Sequence, residues 1–217
     1  MERMMEPART TSRNEDTSRR EIIRAAAEVF MEFGYAASTI DAVADRLGAT
    51  KGRIYHYYRS KAELYFDVQI AAMEQLLAEI EPLARGEGSP AERLRRMALR
   101  HTEILLTESA TQKVAVQGLE RNLLAAEAAR HVKTLRQIGR MRDEYEQLFA
   151  EIIDQGIRAG QFIDLPPRLA TKPFFGALNW VTVWFSPRKL QKPEDLTAIA
   201  TTLTDYALRG LLKEPLP

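Results

Sequence analysis

Residues 39–64 read TIDAVADRLGATKGRIYHYYRSKAEL, and the spacing within them decides the fold. Ser38 or Thr39 is placed to cap a short helix whose Ile40, Val43, Ala44 and Leu47 fall at i, i+3, i+4 and i+7, a single apolar stripe. Gly48 stands where a left-handed residue closes such a helix. Thr50 caps a second short helix, and Ser60-x-x-Glu63 is a capping box that opens a third, much longer one. On a wheel of about 100° per residue, Ile54 and Tyr58 share one side of the middle helix, while His56 lies opposite with Gly52 and Arg53 beside it. The apolar side has Val43 and Leu47 to pack on, and the other side is left to face outward.

Upstream, Ser18-x-x-Glu21 predicts the start of a helix that buries Ile22, Ile23, Ala26, Val29, Phe30 and Phe33 and ends at Gly34. Residues 1–16 are polar, Arg-rich and aperiodic, and are expected to form a disordered arm. Downstream, the helix from Ser60 carries Leu64, Val68, Ala71, Ala72, Leu76 and Ile80 up to Pro82. Gly86-Glu87-Gly88 then breaks the chain, and Ser89-Pro90-x-Glu92 starts another helix running to about Thr107. Further helices are predicted over about 111–125, from Val132 to Gly160, and over about 168–186 and 194–212. No alternating run long enough for a sheet intervenes. The fold class is therefore all-α with about nine helices: an arm (1–16), a three-helix helix-turn-helix domain (17–64) and a larger helical domain (65–217).

The composition narrows the function. With 217 residues and no cysteine, the chain has no disulfides, thiolate metal sites or cysteine nucleophiles. The opening residues lack an apolar leader and no stretch is long and apolar enough to span a bilayer, so a cytoplasmic protein without membrane contact is expected. Net charge is only +1, which means that any contact with nucleic acid has to be local. Three histidines, no nucleophile elbow, no P-loop and no dinucleotide fingerprint leave little for an enzyme to work with. Glu127 and His131 share a helix face but make only two ligands, so neither a metal nor a cofactor is expected.

The outward side of the middle short helix has the chemistry of a DNA reader. Gly52 lets the backbone approach closely, and Arg53 is assigned to a base edge, where a bidentate pair with guanine is worth ~1–3 kcal/mol of discrimination. Thr39, Thr50, Tyr55, His56, Tyr57 and Lys61 are assigned mainly to phosphates, which set register rather than sequence preference, and Lys51 is counted among the DNA-binding residues.

These same residues carry a family resemblance. Thr39-Ile40-Asp41-Ala42-Val43-Ala44, followed by Gly48-Ala49-Thr50-Lys51-Gly52-Arg53-Ile54-Tyr55-His56-Tyr57-Tyr58 and Ser60-Lys61-x-Glu63-Leu64, closely resembles the DNA-binding domain of TetR-family transcriptional regulators over about residues 18–66. Ala49, Thr50 and Tyr58 depart mildly from that pattern, and Arg53 replaces a usually small residue, so its base contact is an inference from chemistry. The resemblance implies a ligand cavity enclosed by the fifth to seventh helices, about 90–107, 111–125 and 132–160, and a homodimer through the last two helices, 168–186 and 194–212. The nearly all-apolar PFFGALNWVTVWF supports that dimer independently, since a helix apolar on every side needs cover on every side. Two readers about 34–36 Å apart would then meet a palindromic double-stranded operator.

The segment Asp154-Gln155-Gly156-Ile157-Arg158-Ala159-Gly160-Gln161-Phe162, with Asn179-Trp180 and Trp184-Phe185, looks like the acyl-CoA-responsive branch of that family. A small apolar effector of the acyl-CoA kind is expected on Met97, Met141, Tyr145, Phe174 and Trp180, with Arg121 or Arg140 on its polar end. The reading is a repressor that such an effector releases. The alternatives are a ligand-independent architectural DNA-binding protein and an all-helical enzyme or binding module.

Overall fold

The computed structural model describes residues 8–117 and 130–213. Ten helices are present among them: α1 (Ala8–Ala37), α2 (Ile40–Leu47), α3 (Lys51–Tyr57), α4 (Lys61–Ala84), α5 (Pro90–Thr107), α6 (Ser109–Gln117), α7 (Val132–Arg158), α8 (Pro167–Asn179), α9 (Val181–Trp184) and α10 (Pro193–Arg209). The only β-type pairing among the described residues is an isolated bridge between Phe162 and Leu212.

Three of the predicted caps form where the sequence places them, whereas Thr50 begins α3 with no side-chain cap bond. Thr39 accepts from the Ala42 amide at 3.1 Å, Ser60 accepts from the Glu63 amide at 3.2 Å, and Ser89 and Glu92 complete a reciprocal capping box. Gly48 closes α2 at φ 64°, the left-handed conformation that glycine enters without a Cβ penalty. Gly34, at φ 73°, breaks the helical path inside α1.

Four expectations are corrected. Residues 8–16 are helical rather than a disordered arm, so Ser18 lies inside α1 and does not cap it. Helix α4 continues past Pro82 to Ala84, because a proline in the last turn forfeits a single backbone bond. The helix expected over 168–186 is two pieces meeting at Trp180. The helix expected over 111–125 begins earlier, at Ser109, and is described to Gln117, while residues 118–125 lie outside the described residues.

One core joins α1, α2, α3 and the start of α4 through Ile22, Val29, Phe30, Val43, Ile54, Leu64, Phe66 and Val68, and it also takes in Val114 of α6 and Ile138 of α7. A second joins the rest of α4 to α5, α7, α8 and α10 through Leu76, Ile80, Leu94, Met97, Phe149, Ile153, Phe162 and Leu178. Helix α4 belongs to both, and the boundary expected at residue 64 falls within it.

Candidate functional site

The first candidate site is the outer side of α3. Ile54 is fully buried and Tyr58 nearly so, while Thr50, Lys51, Gly52, Tyr55 and His56 are exposed, as the helical wheel requires. Tyr58 turns its hydroxyl inward to donate to Asp67, whose carboxylate also receives Arg19 from α1. This anchors the buried side of the reader to α1 and α4. Among the described residues a Cβ built on Gly52 would meet only the Thr50 hydroxyl, at 3.8 Å, so none of them demands a glycine there. Close approach of an outside surface would.

The remaining residues assigned to DNA differ in how free they are. Thr39 is exposed, and its oxygen accepts the α2 capping bond while its own hydroxyl proton stays available. Thr50 makes no side-chain cap bond. Lys51 pairs with Asp41 across the exposed surface. Tyr57 is half-buried and stacks edge-on against His56, ring centroids 5.0 Å apart.

Arg53 donates to Glu21 at 2.6 Å and to the Ser18 hydroxyl at 3.3 Å, so its guanidinium lies against α1. Lys61 donates to the carbonyls of Tyr35, Ala36 and Ser38 at 2.7, 3.2 and 2.8 Å, and lies 4.5 Å from the centre of the Tyr35 ring. An ammonium has three donors, and here each has a backbone partner. Lys61 therefore fixes the corner between α1 and α2 in place of the free phosphate contact expected of it, and burial lowers its pKa.

The second candidate site is a cavity of about 390 Å³ among α4, α5, α6, α7 and α8. Met73, Leu76, Tyr145 and Phe175 give it an apolar wall. His101, fully buried, spans two hydrogen bonds: Nδ1 to the Tyr145 hydroxyl at 2.8 Å and Nε2 to Asn179 Oδ1 at 2.9 Å. Burial depresses the His101 pKa to about 4, so the ring is neutral at neutral pH. Glu146 accepts from Lys172 and Thr171; burial alone would raise its pKa, but these bonds outweigh that and hold it below the ordinary carboxylate value. Arg142 completes the polar lining, donating to Gln69 Oε1 at 3.0 Å and to the Ala115 carbonyl at 2.8 Å.

Of the residues expected on the effector, Tyr145 lines this cavity. Met97 and Phe174 are buried in the second core, packed away from the cavity, and Met141 is packed against that core. Trp180 is 62% exposed and points outward. Arg121 lies outside the described residues. Arg140 is exposed and does not line the cavity, whereas Arg142, two positions and about 200° further round the helix, does. The segment 154–162 contributes no cavity wall either. Gly156 makes room for the buried Phe162 ring, which a Cβ would approach to 2.2 Å, and Gly160 turns the chain at φ 73°. Sequence reasoning passed over His101 and Gln69, yet a signal existed: each is a polar residue on an otherwise apolar stripe, His101 between Met97 and Leu105, Gln69 between Phe66 and Met73.

A family model of bacterial regulatory proteins of the tetR family matches residues 22–68, and the tetracyclin repressor-like C-terminal domain matches residues 87–211. The chain belongs to the TetR family. Its members are DNA-binding regulators of transcription rather than enzymes, with small-molecule effectors characteristic of the family. Among TetR-family relatives, the HTH-type transcriptional repressor KstR2 of Mycobacterium tuberculosis is 26% identical over 174 residues, 79% of this chain and 83% of that protein. The TetR-family regulator PfmR of Thermus thermophilus is 28% identical with a TM-score of 0.71, covering 87% of this chain and 97% of that one. AibR, solved with isovaleryl coenzyme A and operator DNA, shares the fold at a TM-score of 0.66 and 22% identity, covering 86% of this chain and 98% of that one. No helix among the described residues is long and apolar enough to cross a membrane.

Proposed function

We propose that this TetR-family protein is a repressor that binds a palindromic operator as a homodimer and leaves it when a small apolar effector of the acyl-CoA kind enters the cavity lined by Tyr145 and Phe175. The observation that carries this reading is helix α4. Its first turns pack with α1, α2 and α3, and its later turns form a wall of the cavity, so one rigid element meets both sites. The proposed contacts are Arg53 to a base edge and Thr39, Thr50, Lys51, Tyr55, His56 and Tyr57 to phosphates, with Lys61 positioning the corner behind them. Support for the homodimer comes from Trp180, Val183, Trp184 and Tyr206, large hydrophobic side chains left exposed on α9, α10 and the residue before α9. AibR lends the acyl thioester its chemical precedent.

Selection of a preferred duplex, followed by affinity measurements across a salt series with and without acyl-CoAs, tests the proposal. One preferred palindrome, a steep salt dependence and weaker binding with effector are expected. A complete switch from 1:99 to 99:1 needs a preference of about 10⁴ for the released state. Binding to every duplex alike, or affinity indifferent to every acyl-CoA, overturns the reading.

A further inference from the structure

The cavity holds two cations, and their situations differ. Lys172 is spent on both oxygens of Glu146, a pair that leaves little net charge. Arg142 has no carboxylate partner among the described residues; its two recorded hydrogen bonds, both from Nη2, go to the neutral Gln69 amide and the neutral Ala115 carbonyl. Although Arg142 is open to solvent, its surroundings disfavour its charge, since desolvation lowers its pKa by more than the Coulombic influence of Tyr65 raises it. His101 is no rival for an anion, because both its nitrogens are occupied and the ring is neutral. An uncompensated guanidinium at the edge of an apolar cavity favours a ligand with an apolar body and an anionic oxygen at one end.

Resting on the effector role proposed for this cavity, we infer that Arg142 reads the acidic group of an amphiphilic effector whose apolar body lies along Met73, Leu76, Tyr145 and Phe175. The same contact carries the signal. An anion that binds the guanidinium and draws it further into the cavity pulls Nη2 off Gln69, which is fully buried on α4 and whose Nε2 already lacks a partner. A buried amide stripped of its remaining partner is costly, so α4 resettles. The helix that moves is the one packed behind the reader.

The test uses the full chain and three probe series of matched length, from hexanoate to palmitate: the free acids, their coenzyme A thioesters and the corresponding alcohols. Binding is followed by thermal shift, and release by the ratio of operator affinities without and with probe. An anionic series binding the wild-type protein roughly tenfold or more tightly than the alcohols is expected. Active free acids place a carboxylate on Arg142, and activity confined to the thioesters places a phosphate there. Arg142→Gln abolishes the preference for the anion and Arg142→Lys retains part of it, while Gln69→Met keeps anion binding and blunts release. Because the wild-type comparison of acid with alcohol needs no variant, a misfolded variant does not rescue the idea. Alcohols binding as well as both anionic series, an anion preference surviving in Arg142→Gln, or no binding in any series overturns it. If the anion preference appears but no duplex is bound, the repressor reading falls and the Arg142 assignment stands; a bound operator without the preference gives the reverse.

Discussion

Arg53 illustrates how a residue can have two partners of unequal worth. Its ion pair with Glu21 is exposed on both sides, and such pairs contribute ~0–1 kcal/mol. A bidentate contact to guanine supplies ~1–3 kcal/mol, so a base edge outcompetes Glu21 when DNA arrives. Glu21→Ala is therefore expected to raise operator affinity by up to about fivefold, measured by fluorescence anisotropy, and Arg53→Ala to relax preference at one base position. Lys51→Ala should weaken all duplexes alike and reduce the salt slope by about one. His101 makes a prediction in pH. Its folded pKa of about 4 lies below the ordinary 6.5, so the folded state binds fewer protons, and the stability contributed above pH 6.5 is lost as pH falls toward 4. Urea denaturation should show a decline of roughly 3 kcal/mol across that window, absent in a His101→Leu, Tyr145→Phe double variant. The outward position of Arg53 was legible in the wheel, but its pairing with Glu21 was not, because the two are 32 residues apart and only tertiary folding sets α1 against α3.

At the scale of elements, most local signals held, although Ser18-x-x-Glu21 lies inside α1 and Thr50 makes no side-chain cap bond. Caps and left-handed glycines act within four or five residues, and Thr39, Gly48, Ser60 and Ser89 do what their spacing implies. The apolar stripe also gave the inward side of α3 correctly, because burial of Ile54 depends on helical periodicity alone. The cavity was less legible. Which side of α7 or α8 meets an empty space depends on the crossing of five helices, and an aromatic looks the same in sequence whether it fills a core, as Phe174 does, or lines a void, as Phe175 does. Gly156 shows a packing constraint in a segment that resembled a ligand signature. Gly156→Ala should displace the Phe162 ring and cost roughly 1–3 kcal/mol or more, read as a lowered midpoint in urea with little change in m-value.

The described part of the molecule leaves Trp180, Trp184 and Tyr206 exposed, an aromatic set on and beside α9 and α10. If the homodimer uses it, Trp184→Glu should cost about 2 kcal/mol or more of association, roughly a thirtyfold rise in the dissociation constant by sedimentation velocity. Operator affinity should fall with it, since a single reader meets half a palindrome. The sharing of α4 between two cores has an outcome for anyone exchanging sensors between such proteins. A seam at residue 64 would separate Leu64 from Phe66 and Val68, and would strip the front core of Val114 and Ile138, which arrive from distant parts of the chain. Chimeras joined there inherit a reader whose interior was fitted to another protein's sensor, so a graft has to carry matched α6 and α7 surfaces with it, or the transplanted half will lose its fold before its specificity.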